Sequence, residues 1–272
     1  MIKNNVKTKW KNKEVVLNSF LSIPNTFTAE IMSEQGYDAL TIDYQHGMIG
    51  FSDLFTMLQS IRSSGVTPIC RVSGLDHAVI SKVMDAGALG IICPMINNKK
   101  QAEQLVQDCK SPPVGIRSFG PTRANFSVSS NYFYESNEGT FCLAMIETQE
   151  AFDNLEDIAS TPGLDGLYIG TADLTIGLNQ GKLSPGFDRT EPEMIEAKKK
   201  ILEIAHKHEK VACLHCGTPE YAAKATNWGF DLVTITNDVR LLSGAAAAHV
   251  KKFKELTNQK TDISSETDNS SY

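Results

Sequence analysis

Short apolar runs alternate along the chain with segments whose apolar residues recur at helical spacing. The runs predict strands over 15–23, 39–44, 67–72, 90–95, 141–147, 166–170, 211–216 and 232–236. Several are apolar nearly throughout, as parallel strands covered on both faces are. Between them the pattern predicts helices over 26–36, 51–65, 77–87, 97–110, 148–160, 192–210, 218–229 and 238–257. In the second of these, Leu54, Met57, Leu58 and Ile61 fall on one face. Gly36, Gly65, Gly87 and Gly229 stand where a left-handed C-cap is wanted, and Pro192 suits a first helical turn.

Regular alternation predicts a parallel sheet, and eight strand–helix units predict its closure into a (β/α)8 TIM barrel, one domain over 1–260. An open doubly wound sheet would usually carry a glycine-rich first turn, and no G-x-G-x-x-G or Walker sequence follows an early strand. Two long connections, 111–140 and 171–191, read as functional or mobile loops. The polar end, 261–272, reads as a disordered tail.

Composition changes this picture little. A chain of 272 residues, 41% hydrophobic and 21% charged, can bury a large core without disulfides. The net charge of −6, with no basic stripe interleaved with aromatics, sets nucleic acid aside as a partner. The lysines at 3, 7, 9, 11 and 13 are diluted by asparagines and read as a solvated surface segment. No signal-peptide core and no bilayer-spanning run is present, which predicts a cytoplasmic protein with no membrane partner. The six cysteines, mostly in strand runs, read as buried thiols of a reducing compartment. Cys213 and Cys216 have C-x-x-C spacing around His215, but lack the second ligand pair or helix start that zinc or redox chemistry needs.

In a barrel, side chains at the carboxyl ends of strands face the active site. Asp43 and His46 fall there on the second strand, Arg71 on the third, Glu147 on the fifth and Asp173 just beyond the sixth. Singly each has a plain explanation: a helix cap, an ion pair, a loop histidine. Together at one rim they suggest chemistry. Glu147 and Asp173, on neighbouring strands, could share a hard divalent cation such as Mg²⁺ or Mn²⁺. Arg71 could donate to an oxygen that gains negative charge, and His46, oriented by Asp43, could transfer protons. Backbone amides near Ala172 and Asp173 could hold a carboxylate if a helix starts there. The implied reaction forms an enolate beside a carbonyl. No lysine falls at a strand's carboxyl end, which argues against a Schiff-base route.

These residues sit in a longer set of motifs: Asp43-Tyr44-Gln45-His46-Gly47, Pro68 to Arg71, Asp85 to Met95, Pro112 to Pro121 with Arg123-Ala124, Met145 to Thr148, Pro162 to Gly166, and Gly170 to Leu174. In these the chain resembles the HpcH/HpaI aldolase family, metal-dependent class II pyruvate aldolases. The resemblance implies cleavage of a 4-hydroxy-2-oxoacid to pyruvate and an aldehyde. It implies Glu147 and Asp173 as ligands of Mg²⁺, Mn²⁺ or Co²⁺, and His46 with Asp43 as the acid–base group. It implies Arg71 as the enolate stabiliser, and the backbone at Gly170, Ala172 and Asp173 as the pyruvate cradle. It also implies a last helix exchanged between subunits of a dimer, with three dimers in a hexamer. Gln45, Met145 and Thr171 depart from residues common in the family, which leaves the substrate open. Two other readings remain: a CoA-thioester lyase like the citrate lyase β-subunit, with Arg117 and Arg123 contributing to a phosphate-binding groove, and a non-catalytic barrel.

Overall fold

The computed structural model describes residues 1–259, so the tail expected over 261–272 lies outside the described residues. The chain begins with a helix that the lysine-rich composition masks, α1 (Asn5–Lys11). Asn4 caps it, accepting a hydrogen bond from the Lys7 amide. Val6 and Trp10, one turn apart, put an apolar stripe on an otherwise polar segment. Val6 is fully buried among residues of the barrel interior, and Trp10 packs edge-on to Phe141 at 4.9 Å between ring centres. Lys7 pairs with Asp165 at 3.1 Å and Lys9 with Asp38 at 2.7 Å. The expected solvated segment is therefore docked against the barrel, because two apolar residues at i and i+4 suffice to seat a short helix.

Strand and helix then alternate. The first half runs β1 (Val16–Leu21), α2 (Thr26–Ser33), β2 (Ala39–Asp43), α3 (Phe51–Arg62), β3 (Thr67–Arg71), α4 (His77–Asp85), β4 (Gly90–Cys93) and α5 (Lys99–Cys109). The connection expected to be a long loop holds α6 (Thr122–Ser127) and α7 (Tyr132–Gly139) before β5 (Phe141–Ile146). Ala124 and Tyr132, both buried, seat these two helices. After β5 the predicted single helix is two short ones, α8 (Gln149–Asp153) and α9 (Leu155–Ala159), meeting at Asn154. Next come β6 (Gly166–Ile169) and α10 (Thr171–Asn179), a helix inside the second expected loop. The chain ends with α11 (Pro192–Lys207), β7 (Val211–Cys216), α12 (Pro219–Trp228), β8 (Leu232–Asn237) and α13 (Asp238–Leu256).

The eight strands are parallel and form a closed barrel in sequential order. Gly36, Gly65, Gly87 and Gly229 have φ between 83° and 111°, as C-caps require. One set of strand residues, including Phe20, Ile69, Leu143, Met145 and Tyr168, fills the barrel interior. The alternate set, including Ile42, Cys70, Ala144 and Leu214, packs against the surrounding helices. This parity decides the site. Asp43, Arg71 and His215 are two-residue steps from interior positions, and Glu147 follows Met145 by the same step.

All six cysteines are free and buried. Burial pushes the thiols of Cys213 and Cys216 up, which leaves their C-x-x-C pair in the unreactive thiol form. Among the described residues no helix is long and apolar enough to cross a membrane. In α13 only Asp238 is buried, while Leu242, Phe253 and Leu256 are 66%, 60% and 72% exposed.

Candidate active site

A cavity of about 170 Å³ opens at the carboxyl ends of the strands. Asp43, His46, Arg71, Gly170, Ala172 and Asp173 line it, so six of the predicted site residues meet there. The seventh, Glu147, stands behind Gly170 and Met145. An added Cβ on Gly170 would lie 2.6 Å from Glu147 Oε2 and 2.7 Å from Met145 Cε. The absence of a side chain at 170 is thus what lets Glu147 reach this position.

Asp43 and Arg71 are register partners across β2 and β3. The guanidinium donates from Nε to Asp43 Oδ1 at 2.9 Å and from Nη2 to Oδ2 at 2.7 Å. Both side chains are buried. Asp43 Oδ1 also accepts from the backbone amides of Gln45, at 3.3 Å, and His46, at 3.2 Å. Asp43 therefore fixes Arg71 directly and fixes His46 through the main chain of the turn that carries it. The His46 side chain stands exposed at the rim. Beside it, Gln45 Oε1 is buried without a hydrogen-bond partner among the described residues.

Glu147 accepts a hydrogen bond at 2.7 Å from the amide of Met95, a non-glycine residue held at φ 58° just past β4. Burial raises its carboxyl from 4.5 to about 7, and the nearby Asp173 adds to the rise; the Met95 amide and Arg71 oppose it. Asp173 lies just beyond the sixth strand, as expected. Strand β6 stops at Ile169, and Asp173 sits in the first turn of α10. Thr171, which replaces a proline common in the resembling family, is buried and donates through Oγ1 to the His215 carbonyl at 2.9 Å, tying the start of α10 to β7. First-turn amides of a helix lack intrahelical acceptors, so Ala172 and Asp173 bring both backbone donors and a positive dipole end to the cavity.

The donor set suits a hard divalent cation. Glu147 is buried and the Asp173 carboxylate stands close enough to disfavour its ionisation, so a positive charge beside Glu147 would relieve both costs. Among the described residues no cluster of three or more His, Cys, Asp or Glu groups is present. A cation here would keep most of its coordination sphere for water and substrate oxygens, as Mg²⁺ does.

Three side chains that the motif reading passed over complete the wall. Phe20 lies under the Arg71 guanidinium at 5.0 Å. His215 packs edge-on to Phe20 and stacks on Phe187, with ring centres 4.6 Å apart at 22°. Its Nδ1 meets the Tyr168 hydroxyl at 3.1 Å, and Tyr168 in turn meets Thr234 at 2.8 Å. Burial, helped by the Arg71 charge, lowers the His215 pKa to about 3, so the ring is neutral at physiological pH. Its position was legible: 211, 213 and 215 share one parity on β7. The flanking cysteines drew attention from it.

Arg117 and Arg123 are not in this cavity. Arg117 is buried, pairing with Asp85 at 2.5 Å and reaching the Tyr132 hydroxyl at 3.3 Å. Arg123 donates to the Ala86 carbonyl and lies over the Phe55 ring. It borders a different cavity with Thr67 and Leu89, at the amino-terminal end of the barrel.

Residues 17–243 match the family model described as HpcH/HpaI aldolase/citrate lyase. The chain is 38% identical over 253 residues to a hydroxypyruvate/pyruvate aldolase of Rhizorhabdus wittichii, covering 93% of this chain and 100% of that one. It is 28% identical over 254 residues to a 5-keto-4-deoxy-D-glucarate aldolase of Escherichia coli, covering 93% and 97%. Among solved structures, an HpcH/HpaI aldolase/citrate lyase family protein from Burkholderia cenocepacia superposes with a TM-score of 0.84 at 24% identity, covering 93% and 100%.

Proposed function

The chain belongs to the HpcH/HpaI aldolase/citrate lyase family and is a lyase of the aldolase type, and on that premise we propose that it cleaves a 4-hydroxy-2-oxoacid into pyruvate, or a related 2-oxoacid, and an aldehyde. The supporting observation is the gathering of Asp173, the Asp43-held Arg71 and the start of α10 around one cavity, with the Glu147 carboxylate behind Gly170 and within electrostatic reach of Asp173. The relative named for hydroxypyruvate and pyruvate favours a 2-oxoacid as the donor product.

Glu147 and Asp173 are the residues that would hold Mg²⁺ or Mn²⁺, which would act there as a Lewis acid on the oxygens of the 2-oxoacid. The amides of Ala172 and Asp173 receive the substrate carboxylate. His46, at the cavity rim, takes the proton from the 4-hydroxyl. The C3–C4 bond then breaks, the aldehyde carbonyl forms, and the electron pair moves through C3 to the C2 carbonyl oxygen. Arg71 donates to that oxygen as it gains charge. His46 returns the proton to C3, which completes pyruvate. Asp43 keeps Arg71 and the His46 turn in place throughout.

The test is pyruvate release from 4-hydroxy-2-oxoacids with added Mg²⁺ or Mn²⁺, before and after chelation. Activity that survives complete metal removal would sink the mechanism. The CoA-thioester alternative is weakened because Arg117 and Arg123 are committed elsewhere. Saturable CoA binding in calorimetry would restore it.

The assembly proposed is a dimer that exchanges α13, with three dimers in a hexamer. The exposed Leu242, Phe253 and Leu256 support it, because a helix with this much uncovered apolar surface is normally buried by a partner.

A further inference from the structure

Lys198, on α11, is fully buried. Its three donors go to neutral oxygens: the Phe187 carbonyl at 3.4 Å, the Arg189 carbonyl at 3.3 Å and the Tyr221 hydroxyl at 2.7 Å. The Tyr221 hydroxyl in turn donates a hydrogen bond to the Arg189 carbonyl at 2.6 Å. A buried ammonium group is costly, so a fold that keeps one places it where several acceptors need ordering at once. Here two of those acceptors belong to the segment between α10 and α11. Asp188, between them, accepts from the Gly217 amide at 2.7 Å and the Thr218 hydroxyl at 2.6 Å. Three consecutive residues of a segment outside any helix or strand are thus tied to α11, α12 and the end of β7. On the cavity side of the same segment, Phe187 stacks on His215 and lies beneath the Arg240 guanidinium at 4.9 Å.

We propose that Lys198 is a positioning residue: by gripping the main chain at Phe187 and Arg189, it sets the Phe187 ring against His215 and so shapes the wall that receives the aldehyde part of the substrate. This rests on the aldolase reading above, in which the 2-oxoacid end lies at Glu147, Asp173 and the start of α10. The aromatic wall of Phe20, His215 and Phe187 is then left for the aldehyde end. Lys198 touches neither end and takes no part in bond breaking. Burial lowers its pKa to about 8, so the three-donor ammonium form predominates at neutral pH.

The experiment uses the metal-loaded enzyme and Lys198→Met, with Tyr221→Phe as a milder variant that keeps the ring if Lys198→Met does not fold. Three quantities are measured: exchange of pyruvate C3 protons into D₂O by NMR, the KM and kcat for aldehyde condensation, and backbone hydrogen exchange over 186–190. Pyruvate exchange should stay close to the wild-type rate. The aldehyde KM should rise about tenfold, as a displaced binding wall predicts, with a smaller change in kcat. Backbone exchange over 186–190 should quicken. Parallel loss of pyruvate exchange and condensation at unchanged KM would mean a general structural role and overturn the proposal. Unchanged kinetics would overturn it as well. If the wild-type enzyme neither exchanges pyruvate nor condenses it, the aldolase reading fails. The backbone measurement still decides the clamp, since unaltered exchange over 186–190 refutes it.

Discussion

Asp43 and Arg71 stand opposite each other in register on adjacent strands, and the carboxylate holds the guanidinium at two points, 2.9 and 2.7 Å. The same carboxylate takes the amides of Gln45 and His46. One buried acid therefore couples Arg71 to the turn that carries His46.

Removing that acid leaves a buried guanidinium without its partner. Asp43→Ala should cost about 3–5 kcal/mol of stability, read from urea denaturation. Arg71→Lys keeps the charge but loses the two-point fit, and kcat should fall about 100-fold.

In the proposed mechanism His46 moves a proton and does not bind the cation. His46→Ala should lower kcat about 100-fold, while Mn²⁺ affinity measured by calorimetry stays near that of the wild type. A parallel loss of Mn²⁺ binding would assign His46 to the metal instead.

Gly170 has φ −81°, which any residue adopts, so substitution there is a test of space alone. Gly170→Ala should push Glu147 off its position and weaken Mn²⁺ binding at least about tenfold. Retained affinity would show that Glu147 does not need the gap.

Glu147 gives a pH signature. Its folded pKa, about 7, lies above the ordinary 4.5, so between these values the native state holds a proton that the unfolded chain releases. The native state therefore loses stability as pH rises through that window. His215 acts oppositely: with a folded pKa of about 3 against 6.5, it costs stability as pH falls below 6.5. Comparison with Glu147→Gln isolates the first effect. In chelator, the variant should gain on the wild type by about 3 kcal/mol at most between pH 4.5 and 8. Saturating Mg²⁺ should narrow the gap by favouring the ionised wild-type carboxylate. Denaturation curves at both pH values, with and without Mg²⁺, check this.

The α13 surface predicts its own test. Leu242→Glu with Phe253→Glu should reduce the assembly to smaller species in light scattering coupled to size-exclusion chromatography. The single-chain barrel should remain folded by circular dichroism, because neither residue is buried in it.

The strand runs, the glycine caps and the barrel were legible in sequence, because each depends on local periodicity and chain order. So was the gathering of Asp43, His46, Arg71, Gly170, Ala172 and Asp173 at one rim, since a position at or just past the carboxyl end of a parallel strand is a statement about sequence alone. Their pairing was not legible. Asp43 lies three residues from His46 but grips Arg71, because strand register brings a residue 28 positions away into hydrogen-bond range. The short helices α6, α7 and α10 were not legible because each buries only one or two apolar residues, Ala124 on α6, Tyr132 on α7, and Ala172 and Leu174 on α10, and its other buried positions are Ser or Thr, so no periodic apolar pattern forms. Helix α1 was hidden by its lysines, two of which, Lys7 and Lys9, pair with the distant Asp165 and Asp38. Likewise Lys198 reads as one of three consecutive lysines on a helix. Only the packing of α11 against the chain at Phe187 and Arg189 buries that one and leaves its neighbours exposed.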